Sequence, residues 1–307
     1  MTSAKAVLRA ITPPKLWQMA ARLRGRARPS SVMDIPLSFG AATITLPAGH
    51  ALPEYLRQFP NYDQFLPILA RELPATSWVI DVGANCGDTL AAMIAANYSL
   101  NFICLEADDQ YFDYLTKNTD VIRAAYPNVG DIRSVKALVG TMGVSGQLVG
   151  ERGTKHLVAS PAGGQSTTPL ISLAHDFLPE NAKISLIKVD TDGFDYDVLR
   201  SAGPLLDQAE TMIYYECRVS NEEQREGFAH LFAELREKGF NFLIFDNFGT
   251  PIITTNALGV VTPLLDYVWL QTQGYATRTI YYYDVLAYRL GNADMVGRTL
   301  NEWSAAR

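Results

Sequence analysis

A nine-residue loop, Asp81-Val-Gly-Ala-Asn-Cys-Gly-Asp-Thr89, constrains the fold of this chain more than any other feature. It directly follows the apolar run Trp78-Val79-Ile80 and leads into an alanine-rich segment of helical pattern. An apolar strand that ends in a carboxylate and opens into a Gly-x-x-x-Gly turn before a helix is typical of a nucleotide-binding βα unit. Gly83 and Gly87 have no Cβ, so the backbone can approach a ligand closely there. The loop therefore predicts an α/β fold with a ligand at this turn.

The acids of this loop indicate which ligand it binds. A dinucleotide places its pyrophosphate on the helix N-terminus, where a carboxylate is unfavourable. Here Asp81 ends the strand, Asp88 lies in the first helical turn, and the Gly-x-Gly-x-x-Gly spacing of dinucleotide-binding loops is missing. A cationic ligand with an amino group, a sulfonium and no phosphate fits these charges, which favours S-adenosylmethionine. An ordinary βα turn with a helix-capping Asp88 is the alternative.

The charges are distributed unevenly along the chain. Residues 1–33 contain seven lysine and arginine residues and no acid, whereas the rest contains 19 basic and 32 acidic residues. Such an acidic body disfavours nucleic acid as a substrate. The first 33 residues also carry interleaved apolar side chains, and this pattern is typical of an amphipathic segment that binds an anionic membrane surface. A solvated N-terminus is the alternative.

Further sequence features concern the cellular compartment. No apolar run approaches the ~20 residues of a membrane-spanning helix, and no signal-peptide pattern is found. Cys86, Cys104 and Cys217 are widely spaced and form neither a disulfide framework nor a metal-ligand pattern. We therefore expect a cytoplasmic protein, peripheral at the inner face of the cell membrane if residues 1–33 bind lipid.

Strand and helix patterns alternate over residues 76–290 and predict one catalytic domain. Its fold class is α/β, with a doubly wound, mostly parallel, seven-stranded Rossmann-like sheet. Residues 34–75 are expected to form an N-terminal extension of a strand pair and a helix, and residues 143–169, with six glycines, a β-hairpin insertion. The last two strands are expected to pair antiparallel at the edge of the sheet, and residues 291–307 form a C-terminal tail.

Ligands bind outside the carboxyl ends of the strands in such sheets, so the residues at these ends are candidates for the site. Five acids occupy the strand ends, and folding alone does not require them, because clustered carboxylates raise one another's pKa. They are Asp81, Glu106, Asp190, Asp192 and Glu216. Glu106 is expected to accept hydrogen bonds from ribose hydroxyls. The predicted cofactor-binding residues are Asp81, Gly83, Ala84, Asn85, Gly87, Asp88, Glu106, Ala107, Lys136, Ala137 and Asp190.

Three segments resemble FkbM-type methyltransferases. They are Val79-Ile-Asp-Val-Gly-Ala-Asn-Cys-Gly-Asp88, Phe102-Ile-Cys-Leu-Glu106 and Leu186-Ile-Lys-Val-Asp-Thr-Asp-Gly-Phe-Asp195. The resemblance covers residues 76–290 and implies a class I enzyme that uses S-adenosylmethionine, in most members to methylate a hydroxyl of a secondary metabolite or sugar. Asp192 stands where the family commonly has glutamate. Ser172-Leu173-Ala174 replaces the family's Thr-Leu-Asp, and if the lost acid holds cofactor or substrate, Asp176 or His175 must replace it.

Methyl transfer to a hydroxyl requires a base that removes the hydroxyl proton while the oxygen lies opposite the leaving sulfur. The candidate bases are Asp190, Asp192 and His175. Lys188 would stabilise the alkoxide if its amine pointed into the site. A divalent metal such as magnesium, held by Asp190, Asp192 and Glu216, is chemically possible but not favoured, and no metal site is predicted.

The sequence therefore predicts an S-adenosylmethionine-dependent O-methyltransferase whose acceptor is a hydroxyl of a sugar, glycan or glycolipid. A methyltransferase of a soluble secondary metabolite is one alternative, and a non-catalytic ligand-binding module of the same fold is another. An NAD-dependent oxidoreductase is disfavoured, because the dinucleotide glycine spacing and a Tyr-x-x-x-Lys pair are both missing beside the loop. The oligomeric state does not follow from the sequence.

Overall fold

The computed structural model describes residues 33–59, 61–159, 164–273 and 280–306. The basic segment expected to bind membranes, residues 1–33, therefore lies outside the described part of the chain except for its last residue. No helix of the described ranges is long and apolar enough to cross a membrane.

The secondary structure follows the alternation that the sequence predicts. An N-terminal hairpin of β1 (Ile35–Phe39) and β2 (Ala42–Leu46) precedes all other elements. The helices of the described chain are α1 (Leu52–Gln58), α2 (Phe65–Glu72), α3 (Asp88–Ala96), α4 (Asp109–Ala125), α5 (Leu170–Phe177), α6 (Asp195–Arg200), α7 (Glu222–Glu237), α8 (Leu258–Thr272) and α9 (Ala293–Ala305). The further strands are β3 (Trp78–Val82), β4 (Asn101–Glu106), β5 (Ile132–Lys136), β6 (Ser145–Glu151), β7 (Thr154–Ala159), β8 (Gln165–Ser166), β9 (Ile184–Val189), β10 (Met212–Cys217), β11 (Phe240–Asp246), β12 (Pro251–Thr255) and β13 (Tyr283–Arg289).

The central sheet has eight strands in the order β12-β11-β13-β10-β9-β3-β4-β5. Five adjacent strands, β5, β4, β3, β9 and β10, are parallel, whereas β13 is antiparallel to both of its neighbours. The predicted doubly wound, mostly parallel α/β fold is confirmed. The expected count of seven strands is one too low, because β12 folds back on β11 as an additional edge strand.

The position of the last two predicted strands also differs from the expectation. They are β11 and β13, and they do pair antiparallel, but β13 lies between β10 and β11. The pair is therefore inside the sheet. All side chains of β13 from Val285 to Tyr288 are buried. A position inside the sheet removes more of their apolar surface from water than a position at the edge would.

Continuous burial explains why the parallel strands occupy the centre of the sheet. Every residue of β3 and β9 is buried, as expected for strands that are covered by helices on both faces. Two apolar clusters pack on the opposite faces, one around Tyr215 and Phe228 and the other around Phe102 and Leu90. This rigid centre holds the carboxyl ends of β3, β4, β9 and β10 at one edge of the sheet.

Three segments lie outside the central sheet: the insertion, the N-terminal extension and the C-terminal residues. Strands β6, β7 and β8 form a small antiparallel sheet, so the predicted hairpin insertion is present. The expected single helix of the N-terminal extension consists of two helices, α1 and α2, and Asp63 between them has a φ of 56°. Residues 291–307 were expected to form a C-terminal tail, and most of them form α9. Arg298 of α9 donates a hydrogen bond to Glu72 of α2 at 2.8 Å.

Candidate active site

A cavity of about 600 Å³ opens at the carboxyl ends of the central strands. The loops that follow β3, β4, β5 and β9 form its floor together with the end of β10. The turn between β6 and β7 covers one side, and α1 with the loop to α2 covers another. The cavity therefore lies where the strand pattern predicts a ligand.

The glycine loop packs tightly against the end of β9. Gly83 has a φ of 76°, and an added Cβ would lie 1.9 Å from the backbone oxygen of Asp190. The backbone N–H groups of Gly83 and Ala84 both donate to the carbonyl of Leu105, at 2.9 and 3.0 Å. This position needs glycine because two neighbouring strand ends meet there.

The loop places only part of its residues at the cavity. Gly83, Ala84, Asn85 and Asp88 line it. Gly87 has a φ of 82° at the start of α3, and an added Cβ would meet the side chain of Leu115 rather than open space. Gly87 therefore shapes the turn and lies outside the cavity lining.

Glu106 occupies the end of β4 as predicted and lines the cavity with Ala107. Its carboxylate accepts the backbone N–H groups of Asn85 and Asp108, both at 2.8 Å. Burial raises the pKa of Glu106 above its ordinary value, although these backbone donors oppose the shift. Each carboxylate oxygen still has a second lone pair, so Glu106 can accept further hydrogen bonds from a ligand.

Lys188 joins the ends of β3 and β9 beneath the cavity. Its Nζ lies 3.0 Å from Asp81 Oδ1 and 3.6 Å from Asp190 Oδ2, and it donates to the carbonyl of Gly83 at 3.3 Å. Burial lowers the pKa of Lys188, but the carboxylates of Asp81 and Asp190 outweigh it and raise the pKa above its ordinary value. The amine is therefore charged and held by protein groups. Asp81 lies behind it, fully buried, and does not line the cavity.

Asp192 follows Asp190 in the loop after β9 and lines the cavity beside it. Its Oδ1 lies 2.9 Å from Arg218 of the segment after β10, and its φ of 56° is left-handed. Burial and the neighbouring Asp190 raise the pKa of Asp192 to about 7, while Arg218 opposes the shift. A carboxylate with such a pKa changes its protonation near neutral pH, as a general base does.

Asp195, which no sequence pattern marked as a site residue, fixes the conformation of this loop. Its Oδ2 accepts the hydroxyl of Thr191 at 2.9 Å and the N–H of Gly193 at 3.2 Å, and its Oδ1 accepts the N–H of Glu216 at 3.2 Å. Burial raises its pKa to about 8, with a contribution from Asp190. The signal in the sequence was an acid in the first turn of α6.

A further acidic group lines the cavity on the side of β10 and β13. Glu216 of β10 was recognised as a strand-end acid, but Asp284 of β13 was not. The two residues are direct partners in the antiparallel register. Two tyrosines, Tyr62 and Tyr282, line the same part of the cavity. No sequence pattern places these residues together, because they come from distant segments.

Besides Gly87 and Asp81, His175 and Lys136 do not line the cavity, and both expectations need correction. His175 lies on α5 with its side chain 88% exposed, next to the exposed Asp176. Neither residue can act as the base or replace the family's lost acid, because α5 presents them to solvent. Lys136 forms a surface ion pair with Asp109, so only its neighbour Ala137 contributes to the cavity.

The described residues give no support for a metal centre. No group of three or more His, Cys, Asp or Glu side chains in these ranges has an arrangement that could hold a metal ion.

The chain matches a known protein family. The family model described as "Methyltransferase FkbM domain" matches residues 81–242, which is just over half of the 307 residues. These residues include the glycine loop, Glu106, the loop after β9 and Glu216. No curated protein matches the chain.

Solved methyltransferase structures are among the structural matches. Precorrin-6y C5,15-methyltransferase from Geobacter metallireducens GS-15 is 11% identical, with a TM-score of 0.38 over 73% of this chain and 85% of that chain. The plantazolicin methyltransferase BpumL in complex with SAH is 10% identical, with a TM-score of 0.39 over 78% of this chain and 88% of that chain. Methyltransferase FkbM from Methylobacillus flagellatus KT is 16% identical, with a TM-score of 0.32 over 46% of this chain and 33% of that chain. On the match of the family model, this chain belongs to the FkbM methyltransferase family.

Proposed function

We propose that this protein is an S-adenosylmethionine-dependent O-methyltransferase that acts on a hydroxyl of a sugar, glycan or glycolipid. One observation carries the proposal. A single cavity joins the glycine loop and Glu106 on one side to Asp190 and Asp192 on the other. Residues suited to a cationic nucleoside and residues suited to removing a hydroxyl proton therefore face the same space.

The residues around the glycine loop fit S-adenosylmethionine. Glu106 has lone pairs left for ribose hydroxyls, and Asp88 of the loop offers a carboxylate to the ligand's positive charge. Apolar side chains of Leu138 and Val139 after β5 provide a surface for the adenine ring. When bound, S-adenosylmethionine supplies a methyl group that its sulfonium activates for transfer.

The loop after β9 provides the groups that handle the acceptor's proton. Asp192 is our choice of base, because its pKa of about 7 matches neutral working conditions and Arg218 fixes its orientation. Asp190 accepts a hydrogen bond from the acceptor and orients its hydroxyl, while Lys188 holds Asp190 in place. Because the Lys188 amine is taken up by protein groups, Lys188 is a positioning residue and does not bind the alkoxide.

The N-terminal charge pattern favours an acceptor at a membrane. Residues 1–33 combine seven positive charges with interleaved apolar side chains. Such a segment attracts the chain to anionic lipid, where juxtamembrane bases contribute about 1 kcal/mol each. This placement is useful for a lipid-linked sugar or growing glycan and has little use for a diffusing metabolite.

Isotope transfer tests the proposal. Cell-envelope glycans from a strain without the gene are incubated with purified enzyme and S-adenosylmethionine that carries a labelled methyl group. We expect label in the glycan fraction, lost when the enzyme carries Asp192→Asn. Mass spectrometry should find the methyl on an oxygen. Label that appears only in small soluble metabolites would support the alternative acceptor class, and no transfer to any fraction would contradict the proposal.

A further inference from the structure

Glu216 is a buried carboxylate that the proposed chemistry leaves unused. Its side chain lines the cavity, yet the residue is only 7% exposed. Its Oε1 has no hydrogen-bond partner among the described residues. Burying a polar oxygen without a partner is unfavourable, and an ionised carboxylate is more so. The fold alone gives no reason for an acid at this position.

The neighbouring strand increases this unfavourable charge. Asp284 of β13 is directly opposite Glu216 in the antiparallel register and lines the same cavity. Like charges at directly opposed positions destabilise a sheet. Burial first, and then the acids around the cavity, raise the pKa of both carboxyl groups well above their ordinary values. A cation between the two side chains would remove both penalties.

The cations that line the described cavity are engaged elsewhere. Lys188 is bound by Asp81 and Asp190, and Arg218 pairs with Asp192. Lys155 of the hairpin pairs with Asp108 beside the glycine loop. Arg152 lies in the hairpin turn and donates to the carbonyl of Gly49. A cation that pairs with ionised Glu216 and Asp284 would therefore come from a ligand.

Aromatic rings lie next to the two acids. Tyr214 is on the same face of β10 as Glu216, because side chains two residues apart in a strand point the same way. Tyr282 directly precedes β13, two residues before Asp284, and both tyrosines line the cavity. Two carboxylates flanked by tyrosine rings are an environment that recognises an organic ammonium group.

The two acids lie away from the glycine loop, where we expect the cofactor. Strands β9 and β10 follow β3 in the sheet, so β10 lies two strand spacings from the strand that carries this loop. That distance is roughly 10 Å. No group of three or more metal-ligating side chains is found among the described residues, and an organic cation on the acceptor is the ligand that fits the two acids.

We propose that Glu216 and Asp284 form a subsite for a protonated amine of the acceptor, so that the substrate is an amino sugar with a free amine near the methylated hydroxyl. This inference rests on the proposed function, because it assigns a substrate class to the same cavity. It predicts that the enzyme distinguishes a free amine from its acetylated form, since acetylation removes the charge.

Binding of three simple sugars tests the subsite. The full chain, saturated with S-adenosylhomocysteine, is titrated with glucosamine, N-acetylglucosamine and glucose, and binding is followed by calorimetry and ligand-observed NMR. We expect glucosamine to bind at least about tenfold more tightly than the other two, because a charge-assisted hydrogen bond contributes a factor of that order. Glu216→Gln and Asp284→Asn should each remove this preference. Glu234→Gln, the same change at an exposed position of α7, should keep it.

Several results would overturn the subsite. They are no binding of glucosamine, equal binding of glucosamine and glucose, or a preference for glucosamine that persists in both variants. The readout needs no methyl transfer, so it is separate from the proposed activity. If S-adenosylhomocysteine itself failed to bind, the proposed function would fail, whatever the sugar preference.

Discussion

The buried pair of Lys188 and Asp81 allows a quantitative test of how the site is held together. The Lys188 side chain is 6% exposed and that of Asp81 is 1% exposed, with 3.0 Å between Nζ and Oδ1. Lys188→Met keeps the length of the side chain and removes its charge. Asp81 then becomes a buried carboxylate without its cation, which costs about 3–5 kcal/mol in comparable pairs. We expect the free energy of unfolding to fall by that amount.

The companion variants separate the charge effect from lost packing. Asp81→Asn should cost less than Lys188→Met, because Lys188 keeps Asp190 at 3.6 Å and the Gly83 carbonyl at 3.3 Å. The double variant, Lys188→Met with Asp81→Asn, should be more stable than Lys188→Met alone, since it no longer buries an uncompensated charge. Lys136→Met removes a lysine whose ion pair with Asp109 is exposed, and should change stability by less than ~1 kcal/mol.

Urea unfolding at neutral pH, followed by fluorescence and circular dichroism, measures all four variants against the unsubstituted chain. A fall of less than ~1 kcal/mol in the free energy of unfolding of Lys188→Met would contradict this expectation, because the buried carboxylate of Asp81 would then not depend on its partner. A double variant that is as unstable as the sum of the single variants would also refute it, because the two side chains would then not interact.

Three further outcomes follow from the site, and a fourth follows from the charges of residues 1–33. Glu106→Ala should weaken S-adenosylmethionine binding at least ~10-fold in calorimetry, and unchanged affinity would remove Glu106 from the cofactor site. Asp192→Asn should lower turnover by ~10²–10⁴ while cofactor affinity is kept, whereas His175→Ala should leave turnover unchanged. Burial raises the pKa of Glu216 above its ordinary value of 4.5. The protonated side chain therefore contributes fully to stability below pH 4.5, and this contribution is lost as the pH rises through the raised pKa. Glu216→Gln should therefore raise the melting temperature most at alkaline pH, and an equal shift at all pH values would contradict this. The full chain should pellet with anionic but not neutral liposomes and lose this in high salt, and equal pelleting of a chain that starts at Asp34 would exclude residues 1–33 as the membrane contact.

Local patterns in the sequence determined the fold class and the location of the site. The loop from Asp81 to Thr89 predicted a strand, a tight turn and a helix, because its apolar run, its glycines and its alanine-rich segment are all local signals. Parallel strands end at the same edge of a sheet, so the acids at the ends of β4 and β9 were expected to meet. Glu106, Asp190 and Asp192 line one cavity for this reason.

Tertiary structure alone decided the contacts that depend on strand order and helix orientation. Asp284 is opposite Glu216 because β13 enters the sheet between β10 and β11, which no local pattern indicates. His175 points to solvent because α5 packs its apolar side, including Leu173, on the sheet. Such pairings are selected by the burial of side chains far apart in the sequence. The acids at the strand ends could therefore be predicted from single segments, whereas the residues that face them from neighbouring strands could not.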